Sequence, residues 1–208
     1  MHVIKRNGVR APFIAAKIAH RVKKLAYNLD ITDAQVDAMV RQSQRDLNDE
    51  IKTSDIDDKL ANVIIELCNT ASPGSNEGTA FGTLAARVKV SNLHKKTTKK
   101  FTDVYTLLAH HFQEITPREL DFARKHEDTL NSSIISARDY DLTFEEIAQL
   151  ETHDLLRSKG DIVERPGHRY MRLAIKKHIS HLDDGENDEA LLQNVIDEYD
   201  HQSKRSFT

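Results

Sequence analysis

The sequence predicts a mainly α-helical protein. Its 208 residues include only seven glycines and four prolines, too few for the frequent turns of an all-β sandwich. Apolar residues recur at spacings of three and four over most of the chain, which is the period of an amphipathic helix. With 38% hydrophobic and 30% charged residues, the composition is that of a globular protein that can bury a core.

The chain opens with a predicted β-hairpin. Residues 2–6 and 9–11 are expected to form two short strands, joined by Asn7-Gly8, which can supply the positive φ angles of a type I′ turn. Pro12 then precedes a change to helical period, a position where a missing N–H costs little. The first helix is predicted from its apolar stripe: Ile14, Ile18, Val22, Leu25 and Leu29.

Three further helices are predicted in the first half. They cover residues 33–47 behind the cap candidate Thr32, a segment from Thr53 to about Leu67, and residues 84–100. Residues 71–78 are predicted to be a loop by their Ser, Pro and Gly content. Four antiparallel helices with short connections form a bundle, so residues 1–100 are expected to be one domain, with the hairpin covering one end.

Residues 101–208 are predicted to be a second, helical region. The turn at residues 158–161 is expected to lead into a short strand, residues 162–164. Helices are predicted over the stripe from Phe101 to Phe112 and over residues 120–130, 144–156, 165–181 and 189–204.

The net charge of −3 hides a strong segregation of charge along the chain. Residues 1–29 carry seven Lys or Arg and no acid, and residues 87–100 carry six; residues 183–200 carry eight acids and no Lys or Arg. Two basic blocks in one half of the chain favour a polyanionic ligand. The alternative is that both blocks are solvated helix faces.

Several of these cations can converge at one end of the predicted bundle, beside the N–H groups of a helix start, which would form a cradle for a triphosphate. Thr53 and Asp57 are four residues apart on one helix face and could contact an adenine edge or a ribose hydroxyl. Alternatively, Thr53 is only an N-cap and Asp57 only a favourable first-turn charge. No Walker A motif is present. The cations of the predicted site are Lys5, Arg6, Lys17 and Lys95.

Other chemistry finds little support in the sequence. One cysteine, Cys68, excludes a disulfide framework and a cysteine-rich zinc site within this chain. The pairs His110-His111 and His178/His181 lack further ligands at compatible spacing, so no protein-bound metal is expected.

No apolar run approaches the ~18 residues of a membrane span, and a cytoplasmic location is expected. The basic helix lacks interleaved aromatic residues, which argues against nucleic-acid binding.

The motifs resemble those of one family over essentially the whole chain. Residues 2–8 with Lys17-Ile18, and then residues 84–87 and 90–95, resemble the ATP cone at the head of the class I ribonucleotide reductase large subunit. The resemblance is closest to the eukaryotic-type and viral branch. Residues 128–135, 138–140, 164–168, 171–172 and 203–208 resemble the helical region that precedes the ten-stranded catalytic barrel of that subunit.

The resemblance implies a four-helix bundle capped by a small sheet, with an overall-activity site for ATP as activator or dATP as inhibitor, together with Mg²⁺. Lys5, Arg6, Lys17 and Lys95 would hold phosphates. Phe13 and Ile18 would line the base pocket, and Thr53 and Asp57 would contact adenine or ribose. The family commonly has acids at positions 11 and 16, where this sequence has Ala11 and Ala16; discrimination of dATP from ATP is therefore left open.

The cysteines that the family uses for catalysis lie in the barrel, so the resemblance implies no catalytic residue here. We expect a regulatory portion of the reductase large subunit that contributes to deoxyribonucleotide synthesis for DNA replication. Its expected partners are a barrel-containing remainder, indirectly the radical-bearing small subunit, and further cones in a homo-oligomer. The alternatives are a free-standing adenine-nucleotide sensor and a DNA-binding regulator with a zinc ribbon; the single cysteine argues against the regulator.

Overall fold

A computed structural model describes residues 1–45, 47–111, 115–179 and 187–205. The chain divides into two compact units. The first contains Met1–Lys96 together with Thr143–Ile147, and the second contains Thr97–Leu142 together with the chain from Ala148 onward. The predicted helix residue Phe112, the histidine His181, the acids of residues 183–186 and the segment 206–208 lie outside the described residues.

The first unit combines four helices with a small sheet, as the sequence predicts. Strand β1 (His2–Ile4) pairs antiparallel with β2 (Arg10–Pro12) and parallel with β3 (Ile51–Lys52), in the order β2-β1-β3. The two-residue strand β3 was not predicted. The four helices are α1 (Ala15–Leu25), α2 (Asp33–Ser43), α3 (Thr53–Thr70) and α4 (Asn76–Lys96).

The hairpin turn differs from the predicted type I′ turn. The Gly8 N–H donates to the Lys5 carbonyl, and the Lys5 N–H donates to the Val9 carbonyl, both at 2.9 Å. Gly8 has a φ of 78°, whereas Asn7 is outside the left-handed region. This is the pattern of a wider turn that ends on a left-handed glycine. Lys5 and Arg6 therefore belong to the turn, and the prediction that they end a strand is wrong.

Several helix boundaries also differ from the prediction. Helix α1 ends at Leu25, before the last residue of its predicted stripe, and α4 ends at Lys96 and not at residue 100. Thr32 does cap α2, in a capping box with Gln35, but α2 ends at Ser43 and not at residue 47. Helix α4 begins at Asn76, inside the segment predicted to be a loop. The Ser75 hydroxyl accepts a hydrogen bond from the Gly78 N–H at 3.1 Å, which stabilises a helix start within that glycine-containing segment.

The helices of the first unit enclose an aliphatic core, to which each of the four contributes apolar residues. Of the stripe predicted for α1, Val22 is fully buried, whereas Ile14 is exposed. Because the stripe positions repeat at helical spacing, they meet along the inner faces of the four helices. Fully buried members of this core are Val22, Met39, Leu60, Ile64, Leu84 and Ala85.

Arg87 donates hydrogen bonds to carbonyls at the C-terminal end of α1, and we expect it to stabilise the fold. Its side chain donates from Nη1 to the carbonyls of Leu25 (3.0 Å) and Tyr27 (2.7 Å), and its guanidinium lies 3.8 Å from the Tyr27 ring centre. Replacing Arg87 by Ala should lower the free energy of unfolding by about 2–3 kcal/mol, because two carbonyls lose a charged donor. Urea denaturation followed by circular dichroism measures this loss. The exposed Lys24→Ala serves as a control, with an expected change within about 0.5 kcal/mol; equal losses would contradict the role.

The second unit is helical around an aromatic core. Its helices include α5 (Phe101–His111), α6 (Pro117–Lys125) and α7 (Glu127–Ser133), followed by a 3₁₀ segment, Ser136–Asp141. The predicted helix 120–130 is thus two helices, with a break at His126. Core members include Phe101, Tyr105, Leu130, Met171 and Tyr199.

The rest of the second half departs from prediction in detail. The predicted helix 144–156 is an α-helix, α8 (Phe144–Gln149), continued by a π-helical turn, Leu150–Asp154. The predicted strand 162–164 is instead β5 (Asp161–Ile162), which pairs with β4 (Arg157–Ser158). Lys159 and Gly160 join them with positive φ angles, as a tight hairpin turn requires. The chain then forms α9 (Pro166–Ile179) and α10 (Asp188–Arg205).

Candidate nucleotide-binding site

A cavity of about 600 Å³ opens where the hairpin turn meets the first turns of α1 and α3. This size is in the range of pockets that hold small ligands. One part of its wall is apolar, formed by Val3, Phe13, Ile14, Ile18 and Ile56. Such a wall can receive a flat apolar group such as a nucleobase.

Four cationic side chains also line the cavity. Helix α1 places Lys17 and Arg21 one turn apart, and the hairpin turn contributes Lys5 and Arg6. The ammonium groups of Lys5 and Lys17 have no carboxylate within 4.0 Å among the described residues. The N-cap of α1, Ile14, provides no side-chain hydrogen bond to the first turn of the helix. This wall can attract a polyanion.

Asp57 is the buried centre of the cationic wall, with a side chain only 3% exposed. Arg6 Nη2 lies 2.9 Å from its Oδ2, and Arg21 Nη1 lies 2.7 Å from the same oxygen. Arg21 Nη2 also contacts Oδ1, and Lys95 Nζ lies 3.8 Å from Oδ2. One carboxylate is therefore surrounded by three cations from the hairpin, α1 and α4.

A hydrogen-bond network centred on Asn92 supports this cluster. Arg6 Nη2 also donates to Asn92 Oδ1, at 2.5 Å. The Asn92 amide nitrogen donates to Asp58 Oδ1 at 2.7 Å and to the Ser54 carbonyl at 3.0 Å. Asn92 is 1% exposed, so this network joins the hairpin turn, α3 and α4 beneath the cavity.

The environment of Lys95 changes its acidity. Burial, together with the charges of Arg21 and Arg6, lowers the pKa of Lys95 to about 8, and Asp57 opposes the shift. Since an anion in the cavity would favour the protonated form, ligand binding and protonation of Lys95 are coupled.

The structure brings seven of the eight residues of the predicted site together in the cavity wall: Lys5, Arg6, Phe13, Lys17, Ile18, Thr53 and Asp57. The eighth, Lys95, is outside that wall and joins the cluster through Asp57. The alternative reading of Thr53 as an N-cap is wrong, because Lys52 holds the N-cap position of α3. Within the described residues, the Thr53 hydroxyl has no hydrogen-bond partner.

Sequence reasoning missed Arg21 and Asn92 as members of the cluster. The available signal for Arg21 was its position four residues after Lys17 on α1, which puts both on one helix face. Of the two positions where the family commonly carries acids, Ala11 lines the cavity, whereas Ala16 is exposed and outside the lining.

Two further findings concern the described residues. They contain no group of three or more His, Cys, Asp or Glu side chains arranged to hold a metal ion. In the parts of the chain that the structure describes, every helix is too short or too polar to cross a membrane.

Comparison with known proteins connects this cavity to a family. Residues 1–96 match the model of the ATP cone domain. The whole chain aligns at 33% identity with ribonucleoside-diphosphate reductase large chain 2 of Saccharomyces cerevisiae, of which it covers 23%. The large subunit of the same enzyme from Vaccinia virus aligns at 33% identity over 86% of this chain, and that from Danio rerio at 32% over 86%.

The chain spans about a quarter of the length of these relatives, and the matched part is their N-terminal region. The family match covers all the elements that form the cavity. Residues 1–96 are therefore similar to the ATP cone domain, and the chain as a whole is similar to the N-terminal region of ribonucleoside-diphosphate reductase large subunits.

Proposed function

We propose that this chain is the regulatory N-terminal portion of a ribonucleoside-diphosphate reductase large subunit, and that its cavity binds ATP or dATP as an allosteric effector. The observation that carries the proposal is a single cavity, within a match to the ATP cone domain, that combines an apolar wall with a cationic wall. A nucleoside triphosphate has the same two parts, an apolar base and a polyanionic tail.

The proposed roles follow from the chemistry of each wall. Lys5, Lys17 and Lys95, with the N–H groups of Arg6 that Asp57 and Asn92 do not use, hold the phosphates. Phe13 and Ile18 enclose the base, and Thr53 and Asp57 contact adenine or ribose. Mg²⁺ is proposed to enter as part of the nucleotide complex, bound to phosphate oxygens. The chain itself is proposed to supply no catalytic residue.

In this proposal the effector acts through partners. A nucleotide shifts an assembly only if it binds two assembly states with different affinities. The proposed partners are the barrel-containing remainder of the large subunit, other cones, and through them the small subunit, so that the chain contributes to deoxyribonucleotide synthesis for DNA replication in the cytoplasm.

Isothermal titration calorimetry of the folded chain with ATP and with dATP tests the binding proposal. We expect saturable binding of at least one of the two nucleotides. The absence of binding by both, with circular dichroism confirming the fold, would refute it. Co-purification with a barrel-containing chain tests the reductase assignment separately, because a free-standing sensor would bind nucleotide without such a partner.

The affinity for ATP should depend on pH through Lys95. With its pKa lowered to about 8, this residue is largely protonated at pH 7 and largely neutral at pH 9. ATP affinity should therefore fall by about three- to ten-fold between these values, with proton uptake on binding near pH 8. The matched control is Lys95→Arg, which stays charged and should remove most of this dependence. An identical pH profile in both proteins would exclude Lys95 as its source.

A further inference from the structure

We infer that Arg21 is a positioning residue of the phosphate-binding wall. Its proposed role is to balance the charge of Asp57, so that the buried carboxylate does not repel the ligand and Arg6 and Lys95 remain available to phosphates. This inference rests on the proposed function of the cavity and adds a residue that neither the sequence motifs nor the resemblance assigned.

The geometry of the Arg21–Asp57 pair is the first argument. Arg21 reaches across from α1 to α3 and uses both terminal nitrogens, one on each oxygen of Asp57. This bidentate arrangement fixes the plane of the carboxylate. Arg6 and Lys95, by contrast, each approach only the Oδ2 oxygen of Asp57.

The position of Asp57 in the cavity wall is the second argument. A buried carboxylate beside a phosphate site repels the ligand, and this repulsion is stronger near a protein surface than in bulk water. It also competes with the ligand for the same cations. Pairing with a bidentate arginine reduces both effects, because the pair carries no net charge.

The orientation of Arg21 is the third argument. Its side chain is 23% exposed and lines the cavity, yet its terminal nitrogens are directed to Asp57. Its buried Nε has no hydrogen-bond partner among the described residues. Both terminal nitrogens of Arg21 therefore donate to Asp57, and we expect Arg21 to affect ligand binding through Asp57.

The test measures ligand affinity for two single variants, Arg21→Gln and Asp57→Asn, and for the double variant that combines them. ATP and inorganic tripolyphosphate are the probes, since tripolyphosphate lacks any base or ribose that Asp57 could contact. Arg21→Gln leaves Asp57 less balanced and should weaken both ligands by about ten-fold or more. Asp57→Asn alone should strengthen tripolyphosphate binding, because it releases cations. Arg21→Gln combined with Asp57→Asn restores the net charge and should bind tripolyphosphate within about three-fold of the parent chain.

The interaction between the two substitutions is the decisive result. A direct arginine–phosphate contact would make Arg21→Gln equally costly with and without the Asp57 carboxylate, whereas action through Asp57 predicts a much smaller loss in the Asp57→Asn background. A double variant as weak as Arg21→Gln, or an Arg21→Gln variant as strong as the parent, would overturn the inference. Should Arg21→Gln fail to fold, as judged by circular dichroism, the double variant compared with Asp57→Asn still decides, because a ten-fold loss between these two would overturn the inference.

Arg10→Gln is the matched control. It removes an exposed arginine paired with Glu50 at 2.7 Å, outside the cavity wall, and should leave affinity nearly unchanged. If the parent chain binds ATP and tripolyphosphate but the rescue fails, the inference falls and the proposed function stands. If the parent binds neither, the proposed function itself fails.

Discussion

A chain in which Lys5 and Lys17 are both replaced by Ala is expected to bind ATP about a hundred-fold more weakly than the parent. Both lysines line the cavity, and neither ammonium group has a carboxylate partner among the residues described. Each is therefore available to phosphate oxygens, and a charged hydrogen bond contributes about 1.5 kcal/mol or more. Two such losses correspond to about a hundred-fold in affinity.

The experiment needs a control with the same change in charge. Lys24 and Arg41 are exposed, lie outside the cavity wall, and can be replaced together by Ala. Calorimetric titration at fixed ionic strength should show affinity close to that of the parent for this control. Equal weakening in both double variants would mean that only the overall charge matters, which would contradict a specific role of the cavity lysines.

Replacement of Glu164 by Ala is expected to destabilise the second unit by about 3–5 kcal/mol. Glu164 is fully buried and accepts hydrogen bonds from Arg172 Nε at 2.6 Å and Nη2 at 3.1 Å. It also accepts the Leu156 N–H at 3.1 Å. Without the carboxylate, a guanidinium that is only 13% exposed loses its counter-charge, and breaking a buried ion pair from one side has this cost.

Urea denaturation followed by circular dichroism measures the effect of Glu164→Ala. The matched control is Glu127→Ala, which removes an ion pair to Lys100 with both side chains substantially exposed. Exposed pairs contribute about 0.2–1 kcal/mol, so this loss should be small. A loss for Glu164→Ala no larger than for Glu127→Ala would contradict the proposed importance of the buried pair.

The periodicity of the sequence predicted most of the helices, because helical period is a local property. Apolar residues at helical spacing in α1 and α3 include the buried core residues Val22, Leu60 and Ile64. Local patterns were less reliable where a few residues decide the conformation. The left-handed Gly8, without a left-handed Asn7, produced a different turn, and the Ser75 cap moved the start of α4 into the predicted loop.

Strand β3 illustrates a different limit of sequence reasoning. It has two residues, and it exists because Ile51 and Lys52 pair in parallel with β1, almost 50 positions earlier in the chain. Two residues cannot show a strand period. The stabilising hydrogen bonds come from a distant segment, so no local pattern could have indicated this strand.

By itself, the sequence determined the helical class of this protein, the supply of cations in its first half and the resemblance to the ATP cone. Only the tertiary structure decided how these cations are used. Arg6, Arg21 and Lys95 meet at Asp57 from positions 51, 36 and 38 residues away. Packing of the hairpin, α1 and α4 around α3 determines this meeting, because a shared carboxylate depends on distance in space and not on spacing along the chain.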